Sequence, residues 1–515
     1  MKKLFTLCLV VMTMLPAFAK DYTDQLEVIV NGQSAVQEAT ISVTKQDDGK
    51  YTLSLNNFML QADEGPMGIG NIVLTDIEGV EADGKTTIKI NKDIVIQEGS
   101  DPSVPFWMGP MLGPVPINTV AELRGDKLYV VIDIDMMSSL QQIIKVVFGN
   151  GGYQLPNSGF ESFHDDGSKG VEPVAWHSFK SATGKQAGMA SSLGNGVNKS
   201  DDTRPGSKGK SSAVVNSGAF SLSIFGINVV ANGTMTTGRL NAGSTTAADK
   251  SNHAFLDMSK TDVDANGDPF YTVLNARPDS IAVWVKFTQG KANSDHPYAT
   301  ISAIITDGTY YQDPEDKTYT NKVAEARNIE IETVGGNWQR LSMPFVYFRN
   351  MAEPKAILVT ASTNADPGEG SDGDKLYLDD ISLIYNHALY SLTIKGQKVE
   401  LQEGVTEYTL DVDGDISEDD IVATSNGMGS TIEKKIEKED SKTVVTVVAL
   451  SNDLKSSTTA KVTINNSTGI QRPMAPVAGG EELYDVDGKR VKETKAGRIY
   501  IKKDANGNTR KVIRQ

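Results

Sequence analysis

Short runs in which apolar and polar residues alternate fill the first 150 positions of the chain. Leu26-Glu27-Val28-Ile29-Val30, Thr40-Ile41-Ser42-Val43-Thr44, Tyr51-Thr52-Leu53-Ser54-Leu55 and Thr87-Ile88-Lys89-Ile90 are examples, and Leu128 to Ile134 is the longest. Alternation at period two buries one face of a strand. The turn pairs Asn31-Gly32, Asp48-Gly49, Asp83-Gly84 and Gly125-Asp126 bound these runs as hairpins. A meander of this length closes most economically into a barrel, because closure removes the exposed edges. The run Leu140 to Phe148 is ambiguous and reads as a short helix running into a strand.

From Tyr153 to Tyr385 the pattern changes. A Gly/Ser/Lys-rich stretch, Ser181 to Ser212, reads as a long loop. Strands are predicted at Ala219–Val229, Ser280–Phe287, Ala299–Thr306, Asn328–Thr333, Gln339–Tyr347, Ala356–Ala361 and Leu376–Ile384. Their spacing fits a two-sheet sandwich. Leu389 to Asn465 carries the same alternation over the length of a small immunoglobulin-like sandwich. Pro473, Pro476, Gly479 and Gly480 mark a linker, and Glu482 to Gln515 reads as two or three short basic strands. The expected fold is therefore all-β and multi-domain. Residues 1–19 are a leader, 20–150 a barrel, 151–386 a jelly-roll sandwich, 387–466 an Ig-like sandwich, 467–480 a linker and 481–515 a terminal β-module.

Composition narrows the functional classes. With 515 residues the chain is too long for one core. A net charge of −16 excludes the basic footprint that a nucleic-acid partner requires. Lys2 and Lys3, the apolar run Leu4 to Leu15 and Ala17-Phe18-Ala19 have the three parts of a secretory leader, with Lys20 as the expected mature start. The chain's 1 cysteine, Cys8, lies inside that apolar run. The exported chain would then hold neither a disulfide nor a thiolate, so apolar cores, with or without a metal, must stabilise its domains.

Several segments resemble known families. Leu155-Pro156-Asn157-Ser158-Gly159-Phe160-Glu161 and Leu376-Tyr377-Leu378-Asp379-Asp380-Ile381-Ser382-Leu383 resemble the opening and closing strands of jelly-roll carbohydrate-binding modules. That resemblance implies a structural Ca²⁺ held by Glu161 and Asp380, with Asp379 as the alternative ligand. Asp379 and Asp380 can instead sit at a strand bulge and cap backbone groups without metal. With Pro173-Val174-Ala175-Trp176, Arg277-Pro278-Asp279-Ser280-Ile281 and Asn337 to Phe345, the whole region is similar to the PCMD family, the "putative carbohydrate metabolism domain". Tyr51 to Phe58, Gly70 to Leu74 and Leu123 to Tyr129 resemble the calycin-like β-barrel of secreted bacterial proteins. Such a barrel holds a small apolar ligand or is filled by its own side chains. Leu483 to Val491, Gly497 to Ile501 and Lys511 to Ile513 look like the sorting modules of type IX secretion.

Trp284 is the leading candidate for ligand contact. In Ser280 to Phe287 it shares the polar face with Ala282 and Lys286, opposite Ile281, Val283, Val285 and Phe287. Placed beside Thr300 and Ser302 of a neighbouring strand, it would stack on a sugar ring, or else pack under a loop. Lys286 and Trp176 complete this candidate set, and Trp176 reads equally as core. The five histidines are scattered, and neither H-E-x-x-H nor G-x-S-x-G occurs. The resulting expectation is an exported glycan-associated binding protein at the cell surface, non-catalytic, whose partners are a polysaccharide or glycoconjugate and the envelope secretion machinery. Glycoside hydrolysis by a carboxylate pair is one alternative, and a purely structural or adhesive role is the other.

Overall fold

The computed structural model describes residues 19–465 except 32, 63–64, 83, 165–170, 193–195, 223–226, 350–351 and 440–441. Beyond 465 it describes 482–484, 489–491, 495, 499–503 and 509–513. The expected leader up to residue 18, the linker and the terminal turns at 485–488 and 505–508 lie outside the described residues. The chain divides into two compact units. One comprises residues 1–391 with 423–433 and 447–459, and the other comprises 392–422, 434–446 and 460–515. The architecture is all-β and multi-domain, as the alternation predicts. Among the described residues no helix is long and apolar enough to cross a membrane.

The first unit begins with nine strands: β1 (Ala19–Val30), β2 (Gln33–Lys45), β3 (Tyr51–Ala62), β4 (Gly65–Ile77), β5 (Gly79–Ala82), β6 (Lys85–Val95), β7 (Pro114–Arg124), β8 (Lys127–Met136) and β9 (Gln142–Phe148). They form one antiparallel sheet in the order β4-β3-β2-β1-β9-β8-β7-β6-β5. The sheet curls until Asn71 of β4 and Gln97, just past β6, exchange backbone hydrogen bonds of 2.8 and 3.0 Å. Gly70 permits this closure. A Cβ there would meet the Gln97 carbonyl oxygen at 2.2 Å, and its φ of +123° suits only glycine. The ambiguous run resolves as a four-residue helix, Met137–Leu140, followed by β9. Leu26, Ile41, Leu53, Leu74, Ile88, Val115, Val130 and Phe148 fill the interior. The space left among them is about 70 Å³.

β8 departs from simple alternation. Leu128, Tyr129, Val130 and Val131 are all buried. Leu128 and Val130 belong to the barrel core, whereas Tyr129 and Val131, with Val147 of β9, belong to the core of the following sandwich. A strand covered on both faces is apolar at consecutive positions. Polar contacts fix the same junction. The Tyr153 hydroxyl donates to Glu122 Oε2 at 2.7 Å, and Glu122, 3% exposed, also pairs with Lys85. The Tyr129 hydroxyl donates to the Asp453 carbonyl at 2.7 Å, and the Tyr385 hydroxyl to the Tyr153 carbonyl at 2.6 Å. Replacing Glu122 by alanine strands Lys85 and the buried Tyr153 hydroxyl together. The expected cost is about 3 kcal/mol in a denaturant titration, part of which Glu122→Gln restores by keeping an acceptor.

The sandwich that follows has two main sheets. One runs in the order Val197–Ser200, Ser212–Asn216, Lys375–Ile384, Ser280–Thr288, Gln339–Pro344. The other runs Thr234–Thr236, Ala356–Ser362, Ala299–Thr306, Lys322–Ile331, Val346–Tyr347, with Thr272–Val273 added beside Ala356–Ser362. Ile281, Val283, Val285 and Phe287 face Ile301, Ala303, Ile305, Val359 and Ala361 across a closed core. A small sheet of Arg239–Ala242, Asn252–Leu256 and Tyr311–Asp313 lies apart from both. The predicted strands recur here with four changes, the first being that Gln339–Tyr347 splits into Gln339–Pro344 and Val346–Tyr347, which join different sheets. Ala219–Val229 is a hairpin of Gly218–Leu222 and Ile227–Ala231. Asn328–Thr333 starts earlier, at Lys322. The expected loop Ser181–Ser212 contains a helical turn, Ala187–Ala190, and the edge strand Val197–Ser200.

Between Leu389 and Asn465 seven strands form a three-stranded and a four-stranded sheet. In the latter, Glu407–Asp411 pairs in parallel with Ser457–Asn465. The described terminal residues form a four-stranded sheet in the order Arg490–Val491, Glu482–Tyr484, Ile499–Lys503, Thr509–Ile513.

Candidate functional site

Alternation within Ala299–Thr306 and Ala356–Ser362 sends Ile301, Ala303, Val359 and Ala361 into the core and their polar neighbours outward. Register then places Thr300 opposite Ser362 and Ser302 opposite Thr360. The next strand sets Arg327 beside Ser302, and Thr234 lies beside Ser362. Two polar rows thus cross the outer face of the second sheet. They form the floor of a cleft of about 370 Å³, walled by Phe179, Met189, Leu240 and Ile329.

The floor is ordered by a planar ion pair. Arg327 Nη1 and Nη2 donate to Asp313 Oδ2 and Oδ1 at 2.9 and 3.0 Å. Ser302 Oγ donates to the same carboxylate at 3.1 Å. This fork holds a charged donor and a charged acceptor side by side in one plane, which suits a ligand bearing adjacent hydroxyls. His253 stands on the rim, where burial lowers its pKa and keeps the imidazole neutral. Its Nδ1 donates to the Lys250 carbonyl at 2.9 Å. Met189 and Ile329, both partly exposed, supply the apolar contact. Asp249 also lines the cleft, and the Ser251 backbone N–H and hydroxyl hold its carboxyl below the usual range.

The residues singled out from the sequence lie elsewhere. Trp284 is not beside Thr300 and Ser302. Its strand belongs to the opposite sheet, between Gln339–Pro344 and Lys375–Ile384. The loop 201–211 covers its face, with the Arg204 guanidinium 5.6 Å from the indole centroid. Lys286, 8% exposed, pairs with Asp202 of the same loop and lies 4.0 Å above the Tyr377 ring. Trp338 closes the group by donating Nε1 to Asp202 Oδ1 at 3.0 Å. Trp176 is core, at 1% exposure. Its Nε1 donates to the Pro156 carbonyl at 3.0 Å, and its ring centroid lies 5.2 Å from that of Phe160.

The candidate metal ligands contact one loop, but the ligand atoms of Glu161, Asp379 and Asp380 do not all lie within 4.8 Å of one another. Glu161 accepts from the Lys210 N–H at 2.9 Å and the Ser211 N–H at 3.3 Å. Gly209 passes so close that a Cβ would meet Glu161 Oε1 at 2.1 Å. Arg204 donates its backbone N–H to Asp379 Oδ2 at 3.0 Å and its Nε to Asp380 Oδ2 at 2.5 Å. Asp380 sits at φ +42°, where the strand pairing with Ser280–Thr288 shifts by a bulge. This backbone turns two successive carboxylates toward the same loop. Asp379 is fully buried, and its Oδ1 has no hydrogen-bond partner. Burial, reinforced by the neighbouring Asp380 charge, pushes its carboxyl up to about 6.

Residues 18–151 match the family model described as the calycin-like beta-barrel domain. No curated protein and no solved structure matches the chain.

Proposed function

We propose that the chain is an exported, non-catalytic glycan-binding protein of the cell envelope, and that the saccharide binds in the cleft on the outer face of the second sheet. The Arg327–Asp313 fork, set among Thr300, Ser302, Thr360 and Ser362 and flanked by Met189 and Ile329, carries this reading. Sugars present paired hydroxyls on their edges and C–H groups on their faces, and the cleft offers both kinds of partner. Its volume lies at the lower end of the ~300–1,000 Å³ typical of ligand pockets.

Hydrolysis would need an acid with a raised pKa beside a second carboxylate. In the cleft Asp313 is tied to Arg327 and Asp249 is held low, which suits orienting hydroxyls rather than delivering protons. The PCMD, Ig-like and type IX resemblances fit the same picture of a surface protein with a sugar-facing module, a spacer and a sorting tail. The buried, unpartnered Asp379 oxygen favours a structural Ca²⁺ at the Asp379–Asp380 pair, which would have to draw Glu161 in, since the ligand atoms of these three residues do not all lie within 4.8 Å of one another.

A glycan array on the full exported chain tests the proposal. Arg327→Ala should weaken binding by about 10–100-fold, the loss expected for a charged hydrogen-bonding partner, while Trp284→Ala leaves affinity unchanged. The reverse pattern would move the site to the Trp284 face. Absence of binding to any glycan would leave the structural reading.

A further inference from the structure

We propose that Glu172, His177 and Asp264 form a second metal site, for one divalent transition-metal ion of the zinc class. Their ligand atoms all lie within 4.8 Å of one another. The cluster is sealed: Glu172 is 2% exposed, and the side chains of His177 and Asp264 are 0% and 2% exposed.

The imidazole carries the argument. His177 Nε2 lies 3.1 Å from the Pro269 carbonyl oxygen, which can only accept, so Nε2 bears the proton. Nδ1 of the neutral ring is then a lone pair. It is buried without a hydrogen-bond partner and faces the Asp264 carboxylate at 3.9 Å. A lone pair aimed at two buried carboxylates is repulsive unless Nδ1 takes up a proton or a metal cation lies between them, and histidine nitrogen spectra separate the two. One divalent ion balances both negative charges and leaves the imidazole neutral. Mixed nitrogen and oxygen donors suit zinc-class ions better than Ca²⁺, which takes oxygen alone. Bonds of about 2.0–2.1 Å would place tetrahedral ligand atoms about 3.3 Å apart, so His177 and Asp264, now 3.9 Å apart, would close by about half an ångström on binding.

The supporting shell is already built. Glu172 Oε1 accepts from the Ser178 N–H at 2.6 Å, the Ser178 hydroxyl at 2.5 Å and the Ser181 hydroxyl at 3.2 Å. Asp264 Oδ1 accepts from the N–H groups of Asn266 and Asp268 at 2.8 and 2.9 Å. The His177 backbone exchanges hydrogen bonds with Thr236, and its ring lies 4.6 Å from Phe270. Ligands held by outer hydrogen bonds, with the histidine's other nitrogen on a carbonyl, are what a metal site requires. The ion would fasten the 172–181 segment and the 264–268 turn against the edge of the second sheet.

Zinc titration of the full chain, stripped with chelator and dialysed, tests this. One equivalent is expected to be retained with a saturable rise in melting temperature. Asp264→Asn, which keeps its turn hydrogen bonds, should lose that equivalent, and Glu161→Gln should keep it. Co²⁺ in place of zinc should give visible bands that Asp264→Asn abolishes. If the variant does not fold, ¹⁵N spectra of the wild-type histidines decide. Zinc should shift the Nδ1 of one histidine whose Nε2 stays protonated. No retained metal, an equivalent that survives Asp264→Asn, or histidine nitrogens indifferent to zinc would overturn the proposal.

Discussion

Trp176→Ala is expected to destabilise the sandwich by about 3–5 kcal/mol, the range for truncating a buried Trp or Phe. The ring is 1% exposed, packs tilted against Phe160 and donates to the Pro156 carbonyl. Removing it leaves a cavity beneath the opening segment 156–161 and takes the donor from the half-buried Pro156 carbonyl. In a calorimetric scan the loss amounts to about 10 °C for a domain of this size. Trp176→Phe keeps an aromatic ring against Phe160 and sacrifices the hydrogen bond, so it should cost only about 1–2 kcal/mol. A ligand platform behaves in the opposite way. Loss of sugar binding with an unchanged melting temperature in Trp176→Ala would show that the ring serves a ligand.

The second large effect concerns Asp379 and depends on pH. Its carboxyl titrates near 6 when folded, pushed up by burial, against about 3.9 in the unfolded chain. Below pH 4 both states hold the proton, and above about pH 6 neither does. Between these values the folded state alone keeps it, so stability is greatest at the acid end and falls as pH rises through 6. The penalty at neutral pH is about 3 kcal/mol. Asp379→Asn removes the charge and keeps an acceptor for the Arg204 N–H. In calcium-free buffer it should raise stability by up to about 3 kcal/mol at pH 7.5 and leave it unchanged at pH 4. The proposed Ca²⁺ would reverse the comparison, because an ion on Asp379 and its neighbours would stabilise the wild type and find no charge on the variant. A wild type indifferent to millimolar Ca²⁺, alongside a stabilised Asp379→Asn, would assign neutralisation of the cluster to Arg204 and remove the ion.

Parts of the candidate site were within reach of the sequence. Alternation in Ala299–Thr306 and Ala356–Ser362 already separates Thr300, Ser302, Thr360 and Ser362 from the apolar face. The same rule correctly divided Ser280–Phe287 into a core face and a Trp284 face. It could not show that the two polar faces point to opposite sides of the sandwich, because periodicity orders residues within a strand and says nothing about which sheet the strand joins. Arg327 and Asp313 escaped for a related reason. They lie on different strands, and neither has a local motif that marks their pairing. The Glu172–His177–Asp264 cluster also has no short signature, since its third member enters from a turn 87 positions after His177 (264 minus 177).

Period-two alternation, glycine-bearing turns and an acidic, cysteine-poor composition were enough to establish an all-β, multi-domain chain with a barrel at its start, because each depends on neighbours within a few residues. Tertiary packing alone decided that β8 is buried on both faces, that the loop 201–211 lies over Trp284 and Lys286, and that Trp176 is core. Those outcomes turn on which surface meets which. Exposure is a property of the whole packed chain, so a tryptophan on a nominally polar face can be covered by a loop some eighty residues away in sequence (284 minus 204).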